Sequence, residues 1–277
     1  MDAPPIQYAR TDDDVNIAYW TLGEGPPLVI LNTLAVSDIE YEWTVGDIQR
    51  WYVGLARHRR VVRLDYRGSG LSMWHTATAE LDKYVRDVVC VIERLKVDRV
   101  SMLGCGVSAP VAVRYAALWP ERLNRLVLFN PYLGGPGETV TARVNEERSL
   151  ARGSRDRWAR TLTKWFDPDD ADAGGFLPHL FTARLPDAHQ AMVQMLESLD
   201  VDLSAVHTPT LCLVRETDVD GSPRAVGPAE TIPGVRVETF PGSALVPYFQ
   251  GADEIREAVE AWLNGHSQAD GYRNSRI

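Results

Sequence analysis

A chain of 277 residues with 45% hydrophobic content is long enough to bury one large core and too apolar to be disordered throughout. Its formal net charge of −9 argues against a nucleic-acid surface, which needs clustered cations, and no apolar run approaches the roughly 20 residues that cross a bilayer. The acidic start Met1-Asp2-Ala3-Pro4-Pro5 has neither the basic nor the apolar region of a secretory signal, so a soluble cytoplasmic protein is expected.

Short apolar runs alternate with longer amphipathic stretches, the pattern of a mostly parallel sheet covered by helices. Residues 6–10 and 15–22 read as an opening hairpin about Thr11-Asp12-Asp13-Asp14, and strands follow at 28–31, 60–65, 99–103, 126–130, 208–214 and 235–240. Helices are predicted at 46–57, 79–95, 107–118, 225–231 and 251–264. The interval 134–205 breaks the rhythm with helical pieces, many charges and the turn formers Asp167-Pro168-Asp169-Asp170 and Gly174-Gly175. It reads as a helical lid inserted after the sixth strand, leaving 1–133 and 206–264 as the core and 265–277 as a polar tail. Cys90, Cys105 and Cys212 sit in apolar stretches at wide spacings and are expected to be core thiols, with neither a disulfide framework nor a metal pattern.

The segment from Val97 to Pro110 carries the most chemistry. A buried strand runs into a tight turn, Leu103-Gly104-Cys105-Gly106-Val107-Ser108, and then a helix, which is the setting of a nucleophile elbow. Strand, elbow, helix, lid, acidic loop and C-terminal loop follow one another in an order that resembles the α/β-hydrolases across almost the whole chain. The resemblance is closest to the hydrolase-like branch often fused to nucleotide cyclases, through Val15-Asn16-Ile17-Ala18-Tyr19, Leu64-Asp65-Tyr66-Arg67-Gly68-Ser69-Gly70-Leu71-Ser72 and Trp119-Pro120-Glu121-Arg122. It implies an α/β-hydrolase fold with a mostly parallel eight-stranded sheet flanked by helices and an inserted lid.

The resemblance also locates a triad, and two of its three positions depart from it. Counting from Val97-Asp98-Arg99 and from Trp119-Pro120-Glu121-Arg122 puts the nucleophile position at Gly106 without a gap. Leucine at Leu245 stands where such proteins carry histidine, and Asp218 aligns with the acid. Glycine enters the strained turn without a Cβ penalty, and Leu245 offers an apolar surface in place of an imidazole, so binding is favoured over hydrolysis. Asp218, deprived of its histidine, must be solvated, paired or protonated, and is either a loop cap or a general acid/base, with Asp220 as a lesser substitute. Ser108 and Cys105 are the alternative nucleophiles: the first is expected in the first helical turn as a backbone-bonded residue, the second as a buried thiol that the helix N-terminus could activate.

Other pocket residues follow from position. The backbone N–H groups of Ala35 and Val107 fall where oxyanion donors point in the relatives. Asp38, Glu40, Tyr41, Glu42 and Trp43 form a loop bordering the pocket, its charges read as a solvated rim that could include a carboxylate for the chemistry. His75 is the histidine whose loop approaches such a site, while His58, His179, His189 and His266 read as surface or packing residues. Tyr41, Trp43, Trp74, Tyr132, Trp158, Trp165 and Tyr248 suit an aromatic wall. No cofactor is expected, because Gly68-Ser69-Gly70 lies outside a dinucleotide-binding context, and no cluster has metal-ligand spacing. Three functional classes stay open: a non-hydrolytic enzyme acting on a hydrophobic small molecule, a ligand sensor, and a hydrolase with a relocated nucleophile. The first is preferred. Homodimerisation stays open; nucleic acid and membrane are not expected partners.

Overall fold

The computed structural model describes residues 2–32, 37–73, 76–134, 185–218, 223–224 and 226–265, with the side chains of 185–190 excepted. Of the lid expected at 134–205, residues 135–184, with Trp158, Trp165 and His179, lie outside the described residues, as do Ala35, Trp74, His75, Asp220 and the tail 266–277.

Eight strands form one sheet: β1 Gln7–Arg10, β2 Asn16–Leu22, β3 Pro27–Leu31, β4 Arg60–Leu64, β5 Val100–Cys105, β6 Leu123–Phe129, β7 Thr210–Arg215 and β8 Arg236–Phe240. Their spatial order is β1-β2-β4-β3-β5-β6-β7-β8. β1 and β2 pair antiparallel, as do β2 and β4; every other pairing is parallel. The near-continuous apolar runs of β3, β5, β6 and β7 are what a strand needs when helices cover both faces. β8, at the edge, is only half-buried.

Among the described residues the α-helices are α1 Gly46–Leu55, α2 Leu81–Leu95, α3 Ala109–Leu118, α4 Leu185–Glu197 and α5 Ala252–Leu263. In α2, Tyr84, Val85, Val88, Val91, Ile92 and Leu95 recur at helical spacing and are buried, and the helix stops at Lys96 in the left-handed region, φ +55°. α3 opens with Pro110 in its first turn, where the missing N–H has no partner to lose, and it lies tight on β5. The closeness depends on Gly104, since a Cβ there would stand 2.9 Å from the Ala112 Cβ. None of the described helices is long and apolar enough to cross a membrane.

Several boundaries differ from the predicted ones, β6 starting at Leu123 where 126 was expected, and two differences shape the turns. β5 runs two residues past the expected end at 103, to Cys105, carrying the strand up to the turn. The helix expected at 225–231 is a short 3-10 helix, Gly227–Thr231, because Gly227 takes φ +65° and Pro228 follows at once.

The motif from Leu64 to Ser72 is loop architecture. The buried Asp65 carboxylate accepts from Ser37 Oγ at 2.5 Å, Ile39 N at 3.1 Å and Leu71 N at 2.8 Å. Burial nevertheless pushes its carboxyl up to about 7, against the Arg63 charge and these donors. Arg67 ties the next turn to the helical layer and to the opening hairpin, through Nε to Asp87 at 2.9 Å and Nη1 to Asp13 at 2.7 Å. Gly70 has φ +49°, and a Cβ there would meet Asp65 Oδ2 at 2.0 Å. Gly70→Ala is therefore expected to cost about 2–4 kcal/mol, from backbone strain plus overpacking, measured by urea unfolding. A loss below about 0.5 kcal/mol would show that the Asp65 loop adjusts freely.

Candidate active site

In the chain, β3 is followed by β4 on one side and later by β5 on the other, so the connections diverge between β3 and β5. Open parallel sheets place their ligand crevice at such a point, outside the carboxyl ends of the strands. Register puts Leu31 opposite Gly104, so Asn32 and Cys105 are the next residues at this edge of the sheet.

The turn after β5 is built by glycine. Gly106 has φ +52° and begins a 3-10 turn, Gly106–Ser108, that leads into α3. No Cβ projects from its tip. The Gly106 carbonyl accepts from Tyr132 N at 3.1 Å, which joins the turn to the segment after β6. Ser108 is fully buried, and its hydroxyl donates to the Asn32 carbonyl across the β3–β5 divide. That is the backbone-bonded role expected of it, and the bond occupies the proton a base would have to remove. Cys105 is also fully buried, and desolvation pushes its thiol up to about 12. The activation that a helix N-terminus could give this thiol is outweighed by burial.

Asp218 is paired: its carboxylate meets Arg224 Nη2 at 2.6 Å, both side chains mostly buried, next to a bridge between Thr217 and Pro223. Of the three fates expected for Asp218, pairing is the one realised. Leu245 is half-buried in the loop after β8, and main-chain contacts fix that loop. Asn130, itself at φ +44°, donates from Nδ2 to the Ala244 carbonyl at 3.0 Å and accepts from Arg215 N at 2.8 Å. Gln250 Oε1 accepts from Ser243 N and Ala244 N at 3.0 and 2.8 Å. Arg215, 1% exposed, donates from Nη1 to the Pro241 carbonyl at 2.7 Å and from Nη2 to the carbonyls of Phe249, at 2.6 Å, and Gln250.

One expected feature is overturned. Glu42, read as part of a solvated rim with Asp38 and Glu40, is 1% exposed and pairs with the fully buried Arg63 at 2.6 Å. Tyr52 donates to Glu42 Oε2 at 2.6 Å, Asn32 Nδ2 donates to Tyr52 Oη at 2.8 Å, and Arg63 Nη2 donates to Ser37 at 2.9 Å. Burial and the neighbouring Glu42 charge hold the Tyr52 phenol well above its usual range. The signal for this network was Arg63 itself, a charge inside the apolar run of β4 that requires a buried partner.

The aromatic candidates divide. Trp43 belongs to the core, edge-on to Trp20 at 6.0 Å, and Tyr248 is buried against Phe249 at 5.0 Å. Tyr41 is half-buried beside Asp38, with its N–H on Oδ1 at 2.9 Å. Tyr132 is half-buried with its hydroxyl enclosed and unpartnered. Val107, half-buried, follows Gly106 in the turn. His58 is exposed, as is His207, which sequence reasoning passed over. Among the described residues no cluster of three or more His, Cys, Asp or Glu side chains is placed to hold a metal ion.

Residues 26–236 match the family described as alpha/beta hydrolase fold. Among curated proteins the chain is similar to a pyrrolizixenacetamide deacetylase of Xenorhabdus hominickii, 27% identical over 56% of this chain and 57% of that one. It is also similar to an (E)-2-((N-methylformamido)methylene)succinate hydrolase of Acinetobacter baylyi, 22% identical over 56% of each. The match thus spans little more than half the length of these two relatives. Among solved structures, the enol-lactonase of Burkholderia xenovorans LB400 superposes with TM-score 0.77 at 20% identity, over 93% of this chain and 100% of that one. The esterase RhEst1 of Rhodococcus sp. ECU1013 also gives TM-score 0.77 at 20% identity, over 95% and 99%. At such identities these structures speak for the fold alone. On the family match over most of its length, with the sheet order and the strand–turn–helix at Gly106, the chain belongs to the alpha/beta hydrolase fold family.

Proposed function

We propose that this protein binds a hydrophobic small molecule in the crevice beyond β3 and β5 and transforms it without hydrolysis, by cyclisation, addition, elimination or rearrangement. The observation that carries the reading is the turn at Gly106, where backbone alone occupies the tip. The two neighbouring nucleophiles are unsuited to replace it, Ser108 by its bond to Asn32 and Cys105 by its burial. A site of this kind works by shape and orientation, which can supply several kcal/mol without a covalent intermediate. The motifs at Leu64–Ser72 and Trp119–Arg122 favour membership of the hydrolase-like branch often fused to nucleotide cyclases.

The two relatives are named as a deacetylase and a hydrolase and favour a second reading, ester or amide cleavage by a relocated nucleophile. One assay separates the two. With p-nitrophenyl butyrate the wild type is expected to release p-nitrophenol no faster than the heat-denatured protein. Hydrolysis that disappears in Ser108→Ala or Cys105→Ala would establish the second reading and end the first. In parallel, native mass spectrometry after incubation with a small-molecule extract should show a bound compound whose released mass differs from that supplied; release unchanged would indicate a binding protein. Gly106→Ser is expected to lower stability by about 1 kcal/mol in urea unfolding, because a Cβ must then adopt φ +52°.

A further inference from the structure

Asn32, 1% exposed and the first residue past β3, holds an enclosed acceptor with no hydrogen-bond partner. Its amide orientation is dictated by its neighbours. Nδ2 donates to Tyr52 Oη at 2.8 Å and faces Glu42 Oε1 at 3.4 Å, so turning the amide over would set its oxygen against a carboxylate. Oδ1 must therefore point away from the network, and there it has no hydrogen-bond partner. The residue is also held from the other side, since its carbonyl accepts from Ser108. A buried acceptor fixed this firmly and left empty is costly, and a partner arriving from outside the chain would relieve the cost.

Its place in the fold says where that partner comes from. Asn32 is the first residue past β3, beside Cys105, at the point where the connections diverge and the side chain is missing from Gly106. Tyr132 follows β6, two strands over from β3; its enclosed hydroxyl also lacks a partner, and its backbone is bonded to Gly106. Unpartnered polar groups thus belong to the segments on both sides of the glycine turn.

Resting on the proposed small-molecule site, we infer that Asn32 Oδ1 selects the ligand: the crevice takes apolar molecules that present an O–H or N–H donor to this oxygen, and it discriminates against the same skeleton with that donor capped. A ligand without the proton leaves Asn32 unsatisfied and adds an acceptor facing an acceptor. The Tyr132 hydroxyl, able to donate or accept, serves a second polar atom without imposing a sign.

The test compares 2-naphthol with 2-methoxynaphthalene by isothermal titration calorimetry on the full chain. The wild type is expected to bind the naphthol about tenfold or more tightly than its methyl ether. In Asn32→Leu the preference should fall below about twofold, through weaker naphthol binding with the ether unchanged or tighter. Equal binding of both probes by the wild type overturns the role of Asn32 while leaving the small-molecule site intact. Binding of neither overturns the site reading and this inference together. The wild-type comparison decides the matter even where the variant fails to fold, and a preference that survives in a folded Asn32→Leu also overturns it.

Discussion

Arg63→Met is expected to remove about 3–5 kcal/mol of stability, the range for breaking a buried pair by deleting one partner. The guanidinium is fully buried, and Glu42, at 1% exposure, would be left as an uncompensated charge. Tyr52 and Asn32 would still donate to it, but neither is a cation. The measurement is urea unfolding followed by far-UV circular dichroism. The companion variant Glu42→Met/Arg63→Met removes both charges and should recover most of the loss, since apolar replacements of similar volume often match a buried pair. If the single variant cost under about 1 kcal/mol, the network would be filling this end of the sheet without holding it. The damage should also be local before it is global. Arg63 reaches Ser37, Ser37 reaches Asp65, and Asp65 fixes Ile39 and Leu71, so loosening should spread to both loops at this edge of the sheet.

Arg215→Met carries the second large effect, about 3 kcal/mol, with a different signature. Arg215 is a buried cation that donates to neutral main-chain carbonyls, and desolvation lowers its guanidinium to about 10. It also lies over the Phe129 ring at 5.6 Å, within cation–π range. Methionine would keep some of that packing and release the carbonyls of Pro241, Phe249 and Gln250, each costing about 1 kcal/mol or more where water does not reach it. Amide hydrogen exchange should show protection lost across residues 241–251 while β5 and β6 stay protected. Uniform loss across the sheet would mean that Arg215 supports the core more than the loop.

The fold was readable from the sequence because its signals are repetitive and local. Apolar runs bounded by turn formers placed all eight strands, and helical spacing in residues such as Val85, Val88 and Ile92 placed the layers over them. The miss at 225–231 came from reading Gly227-Pro228 as compatible with a helix when that pair forces a tighter turn. The site was less legible, because burial of a charge depends on a partner distant in sequence. Glu42 lies among Asp38, Glu40 and other surface-type neighbours, and only Arg63, 21 positions later, distinguishes it. Asp218 and Arg224 are six residues apart across an irregular turn, a spacing that no periodic rule connects. The glycine turn was the exception: the positive φ at Gly106 follows from the residue type and its place between strand and helix.

The loop that bears Leu245 has a consequence for inheritance. Arg215, Asn130 and Gln250 grip it through carbonyls and amides of the main chain, which every amino acid supplies except for the N–H that proline lacks. Its path is therefore indifferent to which side chain residue 245 carries. A lineage can exchange that side chain, keep the same main-chain path after β8, and let selection act on the side chain alone.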